Sequence, residues 1–305
     1  MNDPKVSVCI FTYNFAGYIA QALESVLKQR TSFDFEIVVG DDCSTDTTRD
    51  IVLGFKNRYP DKIVLSFNKV NLGGTRNWIQ SINSCKGKYI SLLDGDDYFI
   101  DDNKLQKQYD ILENDQAANL TFHSVKEIFE DKEGKEQDVI FAGSEYYITD
   151  ILRKGWFMRT SSLFFRNGIL PASPPEWVYQ FPYRYDTILI TMLCIHAKAI
   201  NYKAVMTVWR RHSAGLSYSI TKDYFQHYKI ESALYIQLLR LTGIEYKGAV
   251  AKYLRHIRTA VVLMSLKSLT LGNLVKLGFL KTINIDYSYF FTLLFKSIKN
   301  RFSPR

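Results

Sequence analysis

Four short apolar runs punctuate the first hundred residues, each stopped by polar or Gly residues. Lys5–Phe11, Phe35–Gly40, Ile63–Phe67 and Tyr89–Leu93 are too short for helices and rich in β-branched side chains, which predicts four buried strands. Between them the apolar positions recur at three- and four-residue spacing. Ile19, Ala22, Leu23, Val26 and Leu27 form one stripe of a helix from about Ala16 to Gln29. A second helix runs to about Tyr59, where Pro60 ends it, and a third from Gly73 to Cys85. Strands alternating with helices over short connections predict an α/β fold with a parallel sheet covered on both faces.

After Tyr98 the pattern loosens. Lys104–Asn114 reads as a helix, Leu120–Phe129 as a strand and Glu130–Asp138 as a charged hairpin-like tip. Ser161–Phe165 is strand-like, Pro171–Pro182 is a Pro-rich aromatic loop, Tyr185–Ala197 a buried helix and Ile200–Trp209 one or two strands. From about Thr221 the chain reads as helices that mix Lys and Arg with long apolar side chains. The expected organisation is an α/β domain over residues 1–219 and a basic helical region over 220–305.

Charge sharpens this division. The net charge of +8 sits in the tail: residues 220–305 carry 14 Lys and Arg against 4 Asp and Glu, and residues 1–219 carry 25 against 27. A nearly neutral first part argues against reading the protein as a nucleic-acid binder. The four cysteines are scattered without a C-x-x-C pair, which points to reduced thiols and a cytoplasmic setting. A strand pattern beginning at Lys5 leaves no place for a cleavable signal, and no run of 18 apolar residues exists, so no spanning helix is expected.

The chemistry gathers at strand ends. Asp94, Asp96 and Asp97 follow the fourth strand within four residues, and crowded carboxylates repel unless a cation lies between them. Hard oxygen ligands suit Mg²⁺ or Mn²⁺, although Asp-Gly is also ordinary turn chemistry. Phe11-Thr12-Tyr13-Asn14 ends the first strand, Gly40-Asp41-Asp42 the second, and Asn71-Leu-Gly-Gly-Thr-Arg76 follows the third. In parallel neighbours these clusters converge on one sheet edge, where open α/β sheets bind ligands. A Tyr can stack on a base, a carboxylate can accept from a base N–H, and Arg76 offers a fork for a diphosphate. The dinucleotide fingerprint, the P-loop, H-E-x-x-H and G-x-S-x-G are all absent.

The run Val-Ser-Val-Cys-Ile-Phe-Thr-Tyr-Asn, Glu36-Ile-Val-Val-Gly-Asp-Asp-Cys-Ser-Thr-Asp, Asn71-Leu-Gly-Gly and Gly-Lys-Tyr-Ile-Ser-Leu-Leu-Asp-Gly-Asp-Asp resembles the family 2 inverting glycosyltransferases. Phe11 stands where that family usually has Pro, and Gly40 and Cys43 replace the commoner Val and Gly. The resemblance implies a GT-A fold, a nucleotide-activated sugar donor such as a UDP-sugar, and a divalent metal. It implies that Phe11, Tyr13, Asn14, Asp42, Arg76, Asp94 and Arg211 bind the nucleotide sugar, with Tyr13 against the uracil and Asp42 accepting from it. Asp96 and Asp94 would hold the metal. Trp209-Arg210-Arg211-His212 resembles the loop that closes over the diphosphate, with His212 a metal ligand or a phosphate donor. Asp186, opening a late helix, resembles the family's general base, and an ordinary first-turn acid is the plain alternative; Glu176 is the rival base.

The acceptor implied is a growing glycan of a bacterial surface polysaccharide, in some members lipid-linked. In the tail, Phe291, Leu294, Phe295, Ile298 and Phe302 follow helical spacing beside Lys296, Lys299 and Arg301, which suits either an anionic membrane surface or packing on protein. Two other classes compete: a sugar-nucleotidyltransferase, for which Phe11–Gly17 lacks the Gly-rich phosphate loop, and a basic membrane- or nucleic-acid-binding module with an inactive domain, which the intact carboxylates disfavour.

Overall fold

The computed structural model of the chain describes residues 3–131, 134–213, 215 and 224–268. They fall into two compact units, one within Met1–Ile151 and Trp156–Tyr218, the other within Leu152–Gly155 and Ser219–Arg305. The expected amphipathic stretch around Phe291–Phe302 lies outside the described residues.

The first unit opens as the sequence pattern predicts: β1 (Val6–Thr12), α1 (Ile19–Leu27), β2 (Phe35–Asp41), α2 (Thr48–Arg58), β3 (Ile63–Phe67), α3 (Gly74–Asn83) and β4 (Tyr89–Asp94). Every residue of β1 and β2 is buried, as strands covered on both faces must be. The apolar stripe of α1 closes one face, with Ile19, Ala22, Leu23 and Val26 fully enclosed beside Val8, Ile37 and Leu93. Removing one such Leu or Ile from water contributes about 1.5–3 kcal/mol.

The rest of the unit is β5 (Tyr98–Phe99), α4 (Lys104–Asn114), β6 (Ala118–Phe129), β7 (Glu136–Val139), β8 (Glu145–Tyr146), the start of α5 (Ile148–Lys154, which from Leu152 on belongs to the second unit), β9 (Phe164–Arg166), α6 (Tyr185–Cys194) and β10 (Lys198–Arg211). The sheet runs β3-β2-β1-β4-β9-β6-β10-β5, with β7 on β6 and β8 on β10. β1 pairs in parallel with β2 and β4, and β6 with β10, but β9 is antiparallel to both β4 and β6. The expected mostly parallel sheet is thus present, and its two parallel halves are joined by one short antiparallel strand. That strand is also shorter than the pattern suggests. Thr160–Ser162 forms a 3₁₀ turn before β9 begins, so half of the strand-like run at Ser161–Phe165 is a turn. Within the Pro-rich loop, Glu176–Gln180 is a 3₁₀ turn as well.

The second unit holds α7 (Tyr224–Thr242), a short 3₁₀ turn and α8 (Lys247–Ser268). Tyr253 stacks on Tyr235 at 4.2 Å and donates to Glu231 at 2.8 Å, linking the two helices. No helix among the described residues is long and apolar enough to cross a membrane.

Candidate active site

The C-terminal ends of β1, β2 and β4 lie side by side, since Phe11 is level with Gly40 on one flank and Asp94 on the other. Gly95 explains how the acidic turn stays against β1. Its N–H donates to the Phe11 carbonyl at 2.7 Å, and a Cβ there would sit 2.9 Å from that oxygen and from Thr12 Cβ. Gly40, a departure from the resemblance, has a similar cause. A Cβ on it would collide with the Ser81 hydroxyl of α3, so glycine lets that helix lie close.

The loops at this edge are tied to one another through backbone groups. Asn14, in the left-handed region at φ 56°, accepts from Thr45 N at 2.7 Å, while its own N–H donates to Ser44 Oγ. Asp42 is buried and accepts from Leu72 N and Gly73 N, both at 2.8 Å, and from Asn68 Nδ2 at 2.9 Å. A carboxylate has about four acceptor positions. Three are therefore occupied, and Asp42 shapes the loop before α3. Phe11 is enclosed and stacked on Trp78 at 4.3 Å, so its ring is committed to packing. Tyr13, by contrast, is 41 % exposed at the edge. Arg76, exposed on the first turn of α3, lies 4.1 Å over the Tyr179 ring.

Beyond the edge sits the acidic cluster. Burial and the charge of Asp96 push the Asp94 carboxyl well above the usual range; Thr160 hydrogen-bonds it in opposition, and Asp186 adds a further negative charge. Asp97, enclosed beneath, is pushed up by burial and by Asp96 and Asp94, and it accepts from Arg210 N at 2.9 Å. Asp96 Oδ2 meets His212 Nε2 at 3.0 Å. That hydrogen bond raises the imidazole above its ordinary value, and the ring packs on Tyr18 and Phe15. Burial and the Glu130 carboxylate push the Tyr18 hydroxyl up to about 12.

Side chains alternate along β10, and this separates residues that are adjacent in sequence. Arg210 lies with His212: its guanidinium donates to the Asp96 carbonyl and to Gln21 and pairs with Glu130. Arg211 goes with Trp209 on the opposite side and pairs with Glu127 at 3.1 Å. Of the two arginines, Arg210 and not the expected Arg211 is therefore the one against the acidic turn. Asp186, in the first turn of α6, accepts from the adjacent Thr187 N at 2.7 Å and acts electrostatically on Asp94, while Glu176 lies on the 3₁₀ turn of the Pro-rich loop.

The structure thus brings Asp94, Asp96, His212 and Asp186 into one region. Among the described residues, however, no three His, Cys, Asp or Glu groups converge as a closed metal site. Two residues that strand spacing gave no reason to select also reach this region. The Thr160 and Ser161 side chains, carried by the 3₁₀ turn, oppose the upward shifts of Asp94 and Asp97. The Thr-Ser-Ser run was their only sequence signal, and it looked like strand.

Comparison with known proteins bears on the fold and the family. An uncharacterised protein of Mycobacterium bovis is 28 % identical over 218 residues, 72 % of this chain and 62 % of that relative, so the chain spans about three fifths of the length of such relatives. Among solved structures, residues 1–349 of TarS from S. aureus, in complex with UDP-GlcNAc, superpose with a TM-score of 0.62 at 19 % identity, over 82 % of this chain and 72 % of that one. The mannosyltransferase PcManGT from Pyrobaculum calidifontis, in complex with GDP-Man and Mn²⁺, superposes with a TM-score of 0.56 at 16 % identity, over 100 % and 89 %. These likenesses give the fold as GT-A. The family model described as glycosyl transferase family 2 matches residues 7–170, more than half of the sequence, and the chain belongs to that family.

Proposed function

We propose that this glycosyltransferase moves a sugar from a UDP-sugar to a glycan hydroxyl by a single displacement that inverts the anomeric centre. The observation that carries the reading is the electrostatic action of Asp186 on Asp94, whose strand end lies beside those that lead to Tyr13 and Asp42. Asp186 takes the proton of the acceptor hydroxyl, whose oxygen attacks the anomeric carbon as the bond to the β-phosphate oxygen breaks. The departing UDP carries away the electron pair. Tyr13 supplies an exposed ring for the base, and the one open acceptor position of Asp42 suits a base N–H. In this reading Arg76, Arg211 and Arg210, the last bonded to the Asp96 carbonyl, offset the charge that develops on the phosphates.

The donor set also fits a divalent metal. Asp96 and His212 supply one carboxylate and one imidazole, and the raised Asp94 is the kind of carboxyl that a cation would return to its ionised form. Mg²⁺ or Mn²⁺ needs only one or two protein carboxylates when phosphates complete its shell, so a closed three-residue site is not required. When bound, such an ion would stabilise charge on the diphosphate. PcManGT, whose structure holds GDP-Man and Mn²⁺, supports the same reading.

The acceptor assigned by this reading is a cell-surface glycan. The strongly basic C-terminal region would hold the enzyme at an anionic membrane face, which salt-sensitive sedimentation with anionic liposomes would test. The reaction itself is tested by incubating the protein with UDP- and GDP-sugars, with and without Mn²⁺, and following nucleotide release. Release from a UDP-sugar that requires metal supports the proposal, and release from GDP-sugars alone defeats the donor assignment.

A further inference from the structure

We propose that Trp156, Arg159 and Trp209 form an acceptor subsite for a sugar bearing a carboxylate or phosphate group, beside Asp186. The proposal rests on the reading of Asp186 as the residue that faces the acceptor hydroxyl.

The Arg159 guanidinium lies 4.2 Å from the centroid of the Trp156 ring and 4.2 Å from that of Trp209. The two indoles meet edge-on at 80°, so the cation occupies the corner between them. Both ring faces are favourable for a cation, but neither accepts the in-plane N–H groups of the fork. Among the described residues those N–H groups find little else. One makes a long 3.4 Å contact with the Phe157 carbonyl, and Nε is buried without a partner.

Arg211 shares the unpartnered Nε but has an ion pair with Glu127, and two other well-packed arginines of this unit are satisfied throughout. Arg166 donates to the Tyr89 hydroxyl and to the carbonyls of Ala118, Leu112 and Asp115, and Arg49 pairs with Asp41. Glu127 is the strongest opposing charge on Arg159, but its own ion pair, at 3.1 Å, is with Arg211. Burial lowers the Arg159 guanidinium to about 10, which leaves it a cation at neutral pH, and Asp186 and Asp97 are among the charges that act on it.

Donors without a partner, in a fork geometry, match a planar carboxylate or a phosphate. Trp156 adds the second half of the subsite. It is 38 % exposed, and an exposed indole covers the apolar C–H face of a pyranose. A neutral sugar would satisfy the indole and leave the guanidinium edge unmatched. A charged one satisfies both, which predicts a preference of about ten- to hundredfold, the range of a charge-assisted hydrogen bond.

Calorimetry on the full chain tests this with three probes: a tetrasaccharide containing glucuronic acid, its carboxyl-reduced neutral counterpart, and the neutral counterpart phosphorylated on the same sugar. Tighter binding of the uronate or of the phosphate probe than of the neutral one is the expected result, and the stronger of the two identifies the anion. Arg159→Gln should erase the preference, Arg159→Lys should keep part of it, and Trp156→Ala, at an exposed position, should weaken all three probes. Equal binding of charged and neutral probes, or binding of none, overturns the proposal, as does a preference that survives Arg159→Gln. UDP-sugar binding measured on the same samples separates the two readings. An Arg159→Gln variant that loses donor affinity while keeping the anion preference would assign the arginine to the diphosphate and overturn the subsite. Absence of donor binding in the parent would strike the glycosyl-transfer reading and leave the anion preference to stand or fall alone.

Discussion

The two sides of the site are held in different ways. At the ends of β1 and β2 the polar side chains are fixed by backbone N–H groups of neighbouring loops, as Asn14 is by Thr45 and Asp42 by Leu72 and Gly73. Along β10 and after α5 the groups are fixed by other side chains: His212 by Asp96 and Tyr18, Arg159 by Trp156 and Trp209, Arg211 by Glu127. A backbone-held position is a scaffold whose loss is felt first in stability. A side-chain-held position at the mouth of the site is adjustable, and its loss is felt first in chemistry or selectivity.

Asp186 also accepts from a backbone N–H, that of Thr187, yet its proposed role gives it the largest expected effect on chemistry. Asp186→Asn keeps the shape of the side chain and removes the base, so transfer should fall about 10²–10⁴-fold. UDP-sugar affinity should change by less than about tenfold, or about 1.4 kcal/mol. Glu176→Gln is the matched control. Single-turnover transfer beside calorimetric donor binding checks both, and a variant that transfers normally removes Asp186 from the role.

Asp42 should behave in the opposite sense. Asp42→Ala leaves Leu72 N, Gly73 N and Asn68 Nδ2 without their acceptor, and the expected loss is about 1–3 kcal/mol of unfolding free energy by urea titration. A loss below about 0.5 kcal/mol would show that water replaces the carboxylate and that the loop is not a scaffold. Asp96 belongs between these cases. Asp96→Asn keeps a partner for His212 but removes the charge, so metal-dependent UDP affinity should drop about tenfold or more with the melting temperature nearly unchanged. Unaltered metal dependence would take Asp96 out of the site.

The same contrast decides what the sequence could show. β1 through β4 and α1 through α3 were legible because each strand is one contiguous buried run, and the site residues follow it within a few positions. The glycines were legible as turn residues, but the reason for Gly40, a close helix, was not, since it depends on Ser81 some forty residues away. Past Tyr98 the signals weaken. The three residues of β9 are held by neighbours on both sides, which no period-two pattern over three residues can announce. Resemblance singled out Arg211, and only the strand alternation shows that Arg210 lies on the opposite face. Arg159 carried no motif, because what distinguishes it is the approach of Trp209 from fifty residues later.

The smallest expected effect concerns the seam between the two regions. Lys104 on α4 is fully enclosed, donating to Ser91 Oγ at 3.0 Å and Gln108 Oε1 at 2.8 Å and lying over the Phe99 ring, while Gln108 Nε2 reaches the Ser162 carbonyl at 2.9 Å. This pair therefore ties β4, of the legible half, through α4 to the 3₁₀ turn before β9. Burial holds the Lys104 ammonium well below its ordinary value, against a smaller opposing pull from Asp101. The folded state then binds fewer protons than the unfolded one in the interval between the lowered value and about 10.5, and stability must rise with pH across it. Below that interval the burial penalty is present in full; above it the penalty is gone. Lys104→Met has no such group, and the titrations it shares with the parent cancel in the difference. Urea unfolding of both proteins from pH 7 to 10.5 should show the parent gaining on the variant as the pH rises. A constant difference would mean that Lys104 keeps an ordinary affinity for its proton, and that the seam is held by its hydrogen bonds without a desolvation cost.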